Sequence, residues 1–218
     1  MVKKQVLIFD FDGLIIDTES AEVKAWRKEF EEVGLVFDLD AFIETIGANG
    51  PEIQYPVNVL VERSGETRTS EQIWAEHNKR SIEEGLKLPP LDGVMELLDR
   101  AEEAGILLAV GSSSKSYWVT TLLDGLGIKD RFDTVVTFDD VEFAKPAPDI
   151  YLKVLENLGV APENALVLED SYNGALAAQR AGIRVVAVPT QLTAHLDFSM
   201  AEEVLGSLAE LDLGKYFS

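Results

Sequence analysis

No cysteine occurs among the 218 residues, which excludes disulfides, thiolate metal centres and cysteine nucleophiles. Histidine is nearly as scarce: His77 and His195 are the only two, and neither has a His, Cys or carboxylate at zinc-like spacing. Lys and Arg number 19 against 39 Asp and Glu, and the formal charge of -20 argues against nucleic acid or an anionic membrane as a partner. An anionic substrate would have to be drawn in by a local metal ion and a few basic side chains. No apolar run approaches about 18 residues, and Asp10 follows one short strand. Neither a membrane span nor a signal peptide is therefore expected, and the reading is a cytoplasmic protein, monomeric or weakly dimeric. What is present is an ordinary globular composition, 46% apolar and 27% charged. The length suffices for one large domain or one large and one small.

The most informative stretch is Val6-Leu7-Ile8-Phe9-Asp10-Phe11-Asp12-Gly13. Its apolar half reads as a buried parallel strand, and such strands deliver ligands at their carboxyl ends. Period two places Asp10 and Asp12 on one side of an extended chain, and Gly13 supplies freedom to turn. Two crowded carboxylates repel unless a cation or a shared proton relieves them. A hard divalent ion such as Mg²⁺ takes oxygen ligands and leaves positions open for phosphate oxygens.

From residue 17 to about 88 the pattern is helical. Val23, Trp26, Phe30 and Val33 form a stripe stopped by Gly34, and Phe42, Ile43 and Ile46 suggest a short helix ending at Gly47. Residues 57–61 suggest a third helix, and Ser70 is read as the cap of a fourth carrying Ile73, Trp74 and Ile82. Leu88-Pro89-Pro90 breaks the pattern as a linker would. Beyond it, helix and strand alternate. Asp92 is read as the cap of a helix, strands are expected at 106–110, 134–138, 165–168 and 185–188, and Pro148 opens a helix. The first strand has no partner near it and must join this later series. The expected fold is α/β: a doubly wound parallel sheet formed by residues 1–16 and 89–218, with a helical domain inserted at 17–88. Hinges near Asp17 and Pro89 would let the insertion serve as a lid over the strand ends.

Strand ends on one edge of a parallel sheet can gather residues that are 160 positions apart. The first ends at Asp10 and Asp12, and the second at Gly111-Ser112-Ser113-Ser114 with Lys115 behind. Lys145-Pro146 follows the third, and the fourth ends in Glu169-Asp170. Each type suits phosphoryl transfer. Asp10 can act as a covalent nucleophile and Asp12 can exchange a proton with the leaving alcohol and with water. The Ser112 hydroxyl and the backbone amide beyond it, at Ser113, offer donors to phosphate oxygens, Lys145 offsets developing charge, and Glu169 and Asp170 complete an oxygen cage for Mg²⁺. Asp139, Asp140 and Glu142 read as an acidic loop near this site, and Trp26, Trp74 and Trp118 as packing residues.

Taken together, Asp10-Phe11-Asp12-Gly13 with Asp17-Thr18-Glu19, Ser112, Lys145-Pro146-Ala147-Pro148, and Glu169-Asp170-Ser171 with Gly174 resemble the haloacid-dehalogenase superfamily. Within it the chain is similar to the β-phosphoglucomutase-like phosphatases, over its whole length. The resemblance implies a Rossmann-like core and a helical cap, with Asp10 as nucleophile and Asp12 as acid/base. It implies that Ser112 and Lys145 bind the phosphoryl group. Asp10, the Asp12 carbonyl and Asp170 would hold Mg²⁺, with Glu169 behind them or reaching it through water. Thr18 falls at the cap hinge beside the substrate, and Lys115 and Ser116 where the substrate or closed cap is often met. Residues 47–51, including Gly47 and Asn49, would set specificity.

The leading expectation is a Mg²⁺-dependent phosphatase that hydrolyses a small phosphorylated metabolite, a sugar or polyol phosphate, through an aspartyl-phosphate. The nearest rival is a β-phosphoglucomutase, which needs a cationic receiver for a second phosphate. The family's mutases place an Arg just after the first cap-loop glycine and a His shortly after the Asp-Thr pair. Here the loop reads Gly47-Ala48-Asn49-Gly50-Pro51-Glu52, and Glu22 stands about where that His would be. Arg63, Arg68, Lys79 and Arg80 remain available as an unconventional receiver. A dehalogenase fits less well, because Asp12 and the metal cage belong to phosphoryl transfer. A phospho-accepting signalling domain would have no helical insertion and would carry its Asp at a later strand end.

Overall fold

The computed structural model describes residues 4–43, 55–63 and 67–217. The chain divides into two compact units, Met1–Asp17 with Pro89–Ser218, and Thr18–Leu88.

The second unit is helical: α1 (Thr18–Glu32), α2 (Leu39–Ile43), α3 (Tyr55–Arg63) and α4 (Ser70–Gly85). Helical spacing gathers Trp26 and Phe30 of α1 with Phe37, Phe42, Val57, Leu60 and Ile73 in one buried cluster. Glu29 falls on the same buried stripe. Arg80 Nε lies 2.9 Å from its Oε1 and Arg68 Nη1 lies 3.4 Å from its Oε2. Burial pushes the Glu29 carboxyl up against the pull of these two guanidiniums. The cap of α4 is Thr69, not Ser70. Thr69 Oγ1 accepts from the Gln72 amide at 3.3 Å while Gln72 Oε1 accepts from the Thr69 amide at 2.8 Å, a reciprocal pair that Ser70 has no partner to form. The expected continuation of α2 to Ile46 and Gly47 lies outside the described residues.

His77 of α4 stacks on Trp26 at 3.6 Å between ring centroids, and Trp74 meets it edge-on at 5.8 Å. Its Nε2 lies 3.1 Å from Ser81 Oγ. Burial, and secondarily Arg80, lowers its pKa to about 3. In the unfolded chain the imidazole takes a proton below about 6.5, while in the folded chain it stays neutral until far lower pH. Acidification through that window therefore favours unfolding. From about pH 7.5 to about pH 5 this group alone should remove about 2 kcal/mol of stability. Denaturation midpoints of the parent and of His77→Phe at both pH values check this. The substitution should flatten the acid dependence, and an unchanged difference between the two pH values would refute the assignment.

Among the described residues the first unit is built on six strands: β1 (Val6–Phe9), β2 (Leu107–Gly111), β3 (Thr134–Val136), β4 (Ala165–Glu169), β5 (Arg184–Ala187) and β6 (Glu203–Val204). They run parallel in the order β3-β2-β1-β4-β5-β6. The four residues of β1 are wholly buried, as a strand covered on both faces requires. Four helices connect the strands: α5 (Val94–Glu103), α6 (Ser116–Leu126), α7 (Asp149–Leu158) and α8 (Tyr172–Arg180). One face of the sheet, with Val6, Ile8, Ala109, Val167 and Val185, buries Ile150 and Val154 of α7 and Ala175 and Ala178 of α8. The alternate residues include Phe9, whose ring meets Phe132 edge-on at 5.9 Å.

Two local features differ from the sequence reading. Gly93, at φ 81°, stands at the cap position of α5, and a Cβ there would lie 2.1 Å from the Ala209 amide. Asp92 instead accepts from Ser207 Oγ at 2.6 Å, a partner 115 residues away that no local pattern announces. β3 stops at Val136 because Asp140 Oδ2 takes up both the amide and hydroxyl of Thr137, at 2.8 and 2.9 Å, and closes a tight turn.

Candidate active site

β1 lies between β2 and β4, with Phe9 in register with Val110 and Leu168. The Asp10 amide extends the ladder to Leu168 O at 2.9 Å, and the Ser112 amide does the same to Val136 O at 3.0 Å. The first carboxylate is thus held by sheet hydrogen bonds rather than by a free loop. Beyond it Gly13 turns the chain at φ 74°, with its amide on Ile16 O at 3.0 Å. A Cβ at Gly13 would stand 2.5 Å from Asp170 Oδ2. Only glycine lets this backbone turn so close to that carboxylate.

Asp10, Lys145, Glu169 and Asp170 come together. Lys145 Nζ lies 2.5 Å from Asp10 Oδ1 and 2.7 Å from Glu169 Oε1, and all three side chains are buried. Tyr151 of α7 donates its hydroxyl to Glu169 Oε1 at 2.5 Å, and the lysine ammonium stands 4.9 Å from the centre of its ring. Glu169 Oε2 accepts from the amide and hydroxyl of Ser171, at 3.2 and 2.9 Å. The same hydroxyl caps α8 by accepting from the Gly174 amide at 3.1 Å. A Cβ at Gly174 would fall 1.7 Å from Glu169 Oε1, so the glycine makes room for the carboxylate.

Burial and the neighbouring Glu169 push the Asp10 carboxyl up to about 7, against the pull of Lys145. Burial pulls the Lys145 ammonium down, but Asp10 and Glu169 outweigh it and its pKa stands above the usual lysine range. Burial, with Glu169 and Asp10, drives the Tyr151 phenol well up, so it remains a donor.

Asp12 points to a different set of partners. Trp118 Nε1 donates to its Oδ1 at 2.8 Å, while Ser114 and Ser112 hydroxyls meet its Oδ2 at 2.6 and 3.3 Å. Ser113 Oγ accepts from the Lys145 amide at 3.3 Å, which ties the β2–α6 loop to the lysine. Lys115 and Ser116 are both engaged by Asp139, through the ammonium at 2.7 Å and the backbone amide at 2.8 Å. Thr18 is buried at the first position of α1. Gly47 and Asn49 lie outside the described residues. Tyr151 belongs to none of the sequence motifs, and Trp118 reads in the sequence as a packing residue. Tyr151 shares the buried stripe of α7 with Ile150, Val154 and Leu155, so nothing in the pattern marks its hydroxyl.

Asp10, Glu169 and Asp170 offer carboxylate oxygens all within 4.8 Å of one another. Three buried carboxyl groups gathered in one place, two of them bridged by a single lysine, leave an excess of negative charge, and hard oxygen donors of this kind suit a divalent cation. The donor set therefore fits a metal ion.

A family model, haloacid dehalogenase-like hydrolase, matches residues 7–188. A putative phosphatase YhcW from Bacillus subtilis is 38% identical over 210 residues, spanning 96% of this chain and 94% of that protein. The fructose-1-phosphate phosphatase YqaB of Escherichia coli is 34% identical and spans 84% and 95%. Among solved structures, a variant of CbbY from Rhodobacter sphaeroides in complex with Xylulose-(1,5)bisphosphate superposes with a TM-score of 0.83. It has 29% identity and covers 99% of this chain and 100% of that one. A doubly wound sheet, four motifs at its strand ends and relatives matched along nearly their full length agree: the chain belongs to the haloacid dehalogenase-like hydrolase family and is a phosphatase, a phosphoric monoester hydrolase, within it.

Proposed function

We propose that the protein hydrolyses the phosphate monoester of a small sugar or polyol, with Mg²⁺, through a phosphorylated Asp10. The observation that carries this reading is the buried Asp10–Lys145–Glu169 bridge, with Asp170 alongside. A carboxylate nucleophile can approach an anionic phosphoryl group only where positive charge is already fixed beside it. Asp10 attacks phosphorus as the ester bond breaks, and Asp12 gives its proton to the departing alcohol. Water then attacks phosphorus, the bond to Asp10 breaks to free the carboxylate and phosphate, and a water proton returns to Asp12. Ser112 and the Ser113 amide receive phosphoryl oxygens, and Lys145 offsets the charge that gathers there.

Asp10, Asp170 and the main-chain carbonyl of Asp12 would hold the Mg²⁺, which supplies positive charge to the phosphoryl oxygens when bound. Glu169 stands behind them, since Lys145, Tyr151 and Ser171 already occupy both of its oxygens. The unit Thr18–Leu88 is proposed as the cap that excludes water, with Asp17 and Pro89 at its hinges. The fructose-1-phosphate phosphatase relative favours a sugar phosphate as substrate. The loop at residues 47–52, which lacks Arg and Lys, and Glu22, which stands about where the family's mutases have a His, favour hydrolysis over a mutase. A carboxylate there would repel a second phosphate by about 1 kcal/mol even when screened.

Phosphate release from a panel of sugar and polyol phosphates tests the proposal. Turnover should vanish after EDTA treatment, return with Mg²⁺, and stay low with Ca²⁺, whose larger and looser ligand shell misplaces the phosphoryl group. Full activity after exhaustive chelation would reject the metal. Formation of glucose 6-phosphate from β-glucose 1-phosphate, with a trace of the 1,6-bisphosphate, faster than release of free phosphate would establish the mutase instead.

A further inference from the structure

The two carboxylates at the end of β1 are sorted to different partners. Asp10 faces a cation, whereas Asp12 is gripped by neutral donors that all come from the seven residues between the end of β2 and the first turn of α6. Of these donors Trp118 is distinctive. An indole N–H donates and never accepts, so the oxygen it meets, Asp12 Oδ1, must keep a lone pair turned toward it. The hydroxyls of Ser112 and Ser114 at Oδ2 can donate or accept, so Oδ2 keeps its partners whether or not it carries a proton. The Ser114 amide donates to Ser112 Oγ at 3.0 Å and orders that hydroxyl. The Trp118 amide bonds to Lys115 O at 3.0 Å, which roots the indole in the helix.

We infer that Trp118, assisted by Ser114, is the positioning residue of Asp12, fixing the carboxyl plane so that Oδ2 is the oxygen that carries the proton. This rests on the acid/base reading of Asp12 given above. In the first half-reaction an Asp10 oxygen–phosphorus bond forms, the phosphorus–alkoxide bond breaks, and the proton on Oδ2 passes to the alkoxide. In the second, a water oxygen–phosphorus bond forms, the bond to Asp10 breaks, and a water proton returns to Oδ2.

The test uses leaving groups of different demand. The ratio kcat/KM covers the steps through the first phosphoryl transfer only, so it isolates proton delivery to the alcohol. An alkyl phosphate needs that proton, whereas p-nitrophenyl phosphate expels a stable phenolate without it. Trp118→Phe should lower kcat/KM for a sugar phosphate about tenfold more than for p-nitrophenyl phosphate, with KM for the former changed less than about twofold. Ser114→Ala should act in the same direction more weakly, and Ser114→Thr should restore the parent ratio. A loss equal for the two substrates would mean a packing role and overturn the inference. Circular dichroism checks the fold, and if Trp118→Phe fails it, the Ser114→Ala and Ser114→Thr pair decides. Asp12→Asn, measured beside them, separates the two levels. If it leaves the substrate ratio unchanged, the acid/base reading fails and this inference with it. If it lowers the ratio while Trp118→Phe and Ser114→Ala do not, only the positioning role is lost.

Discussion

Asp10→Asn should abolish turnover, lowering kcat by at least about a thousandfold, while leaving the fold intact. An amide oxygen is a poor nucleophile, and the phosphorylated species it would have to form is not a stable intermediate. The substitution is nearly isosteric, and its oxygen can still accept from Lys145, now 2.5 Å from Oδ1. Stability should hold or rise, because burial and Glu169 already oppose the charge that the amide removes. Activity lost with a retained or higher melting temperature would mark a chemical defect. Phosphate release within about tenfold of the parent would remove Asp10 from the nucleophile role.

Lys145→Met is the second large effect. The ammonium meets Asp10 and Glu169 at once, so its loss leaves two buried carboxylates beside each other and beside Asp170. Breaking a buried ion pair from one side costs about 3–5 kcal/mol, and the melting temperature should fall accordingly in metal-free buffer. The phosphoryl group loses a fixed positive charge, and kcat/KM should fall by about a hundredfold to a thousandfold. Added Mg²⁺ should recover part of the stability and little of the rate, because a second cation relieves the carboxylates without standing where the ammonium did. A variant as stable as the parent without metal would contradict the bridging role drawn from the geometry.

Much of this architecture could be read from local pattern. The apolar run ending at Asp10, the βα alternation after Pro89 and the glycine stops specify a parallel sheet with its chemistry on one edge, and the strands lie within a few residues of expectation. What escaped detection depends on distant partners. Asp92 looks like a helix cap until Ser207 claims it, and Gly93 is dictated by Leu208 and Ala209 packed against it. β6, only two residues long, has no periodicity to detect. At the site, Asp12 was visible as a motif residue, but the indole that holds it was not, because a tryptophan on an amphipathic helix looks the same whether it fills space or donates a hydrogen bond. Tyr151 was hidden for the same reason.

The central place of β1 has a consequence for how the chain is made. Its four apolar residues leave the ribosome well before the strands that flank them, which begin at Leu107 and Ala165. At about 5–20 residues per second, this sticky strand waits many seconds for either neighbour. During that interval Thr18–Leu88 can be completed, because its cluster among the described residues draws on residues of that same unit. A chain stalled before Ala165 would carry a finished helical unit on an unfinished sheet, and would be the species most in need of a chaperone.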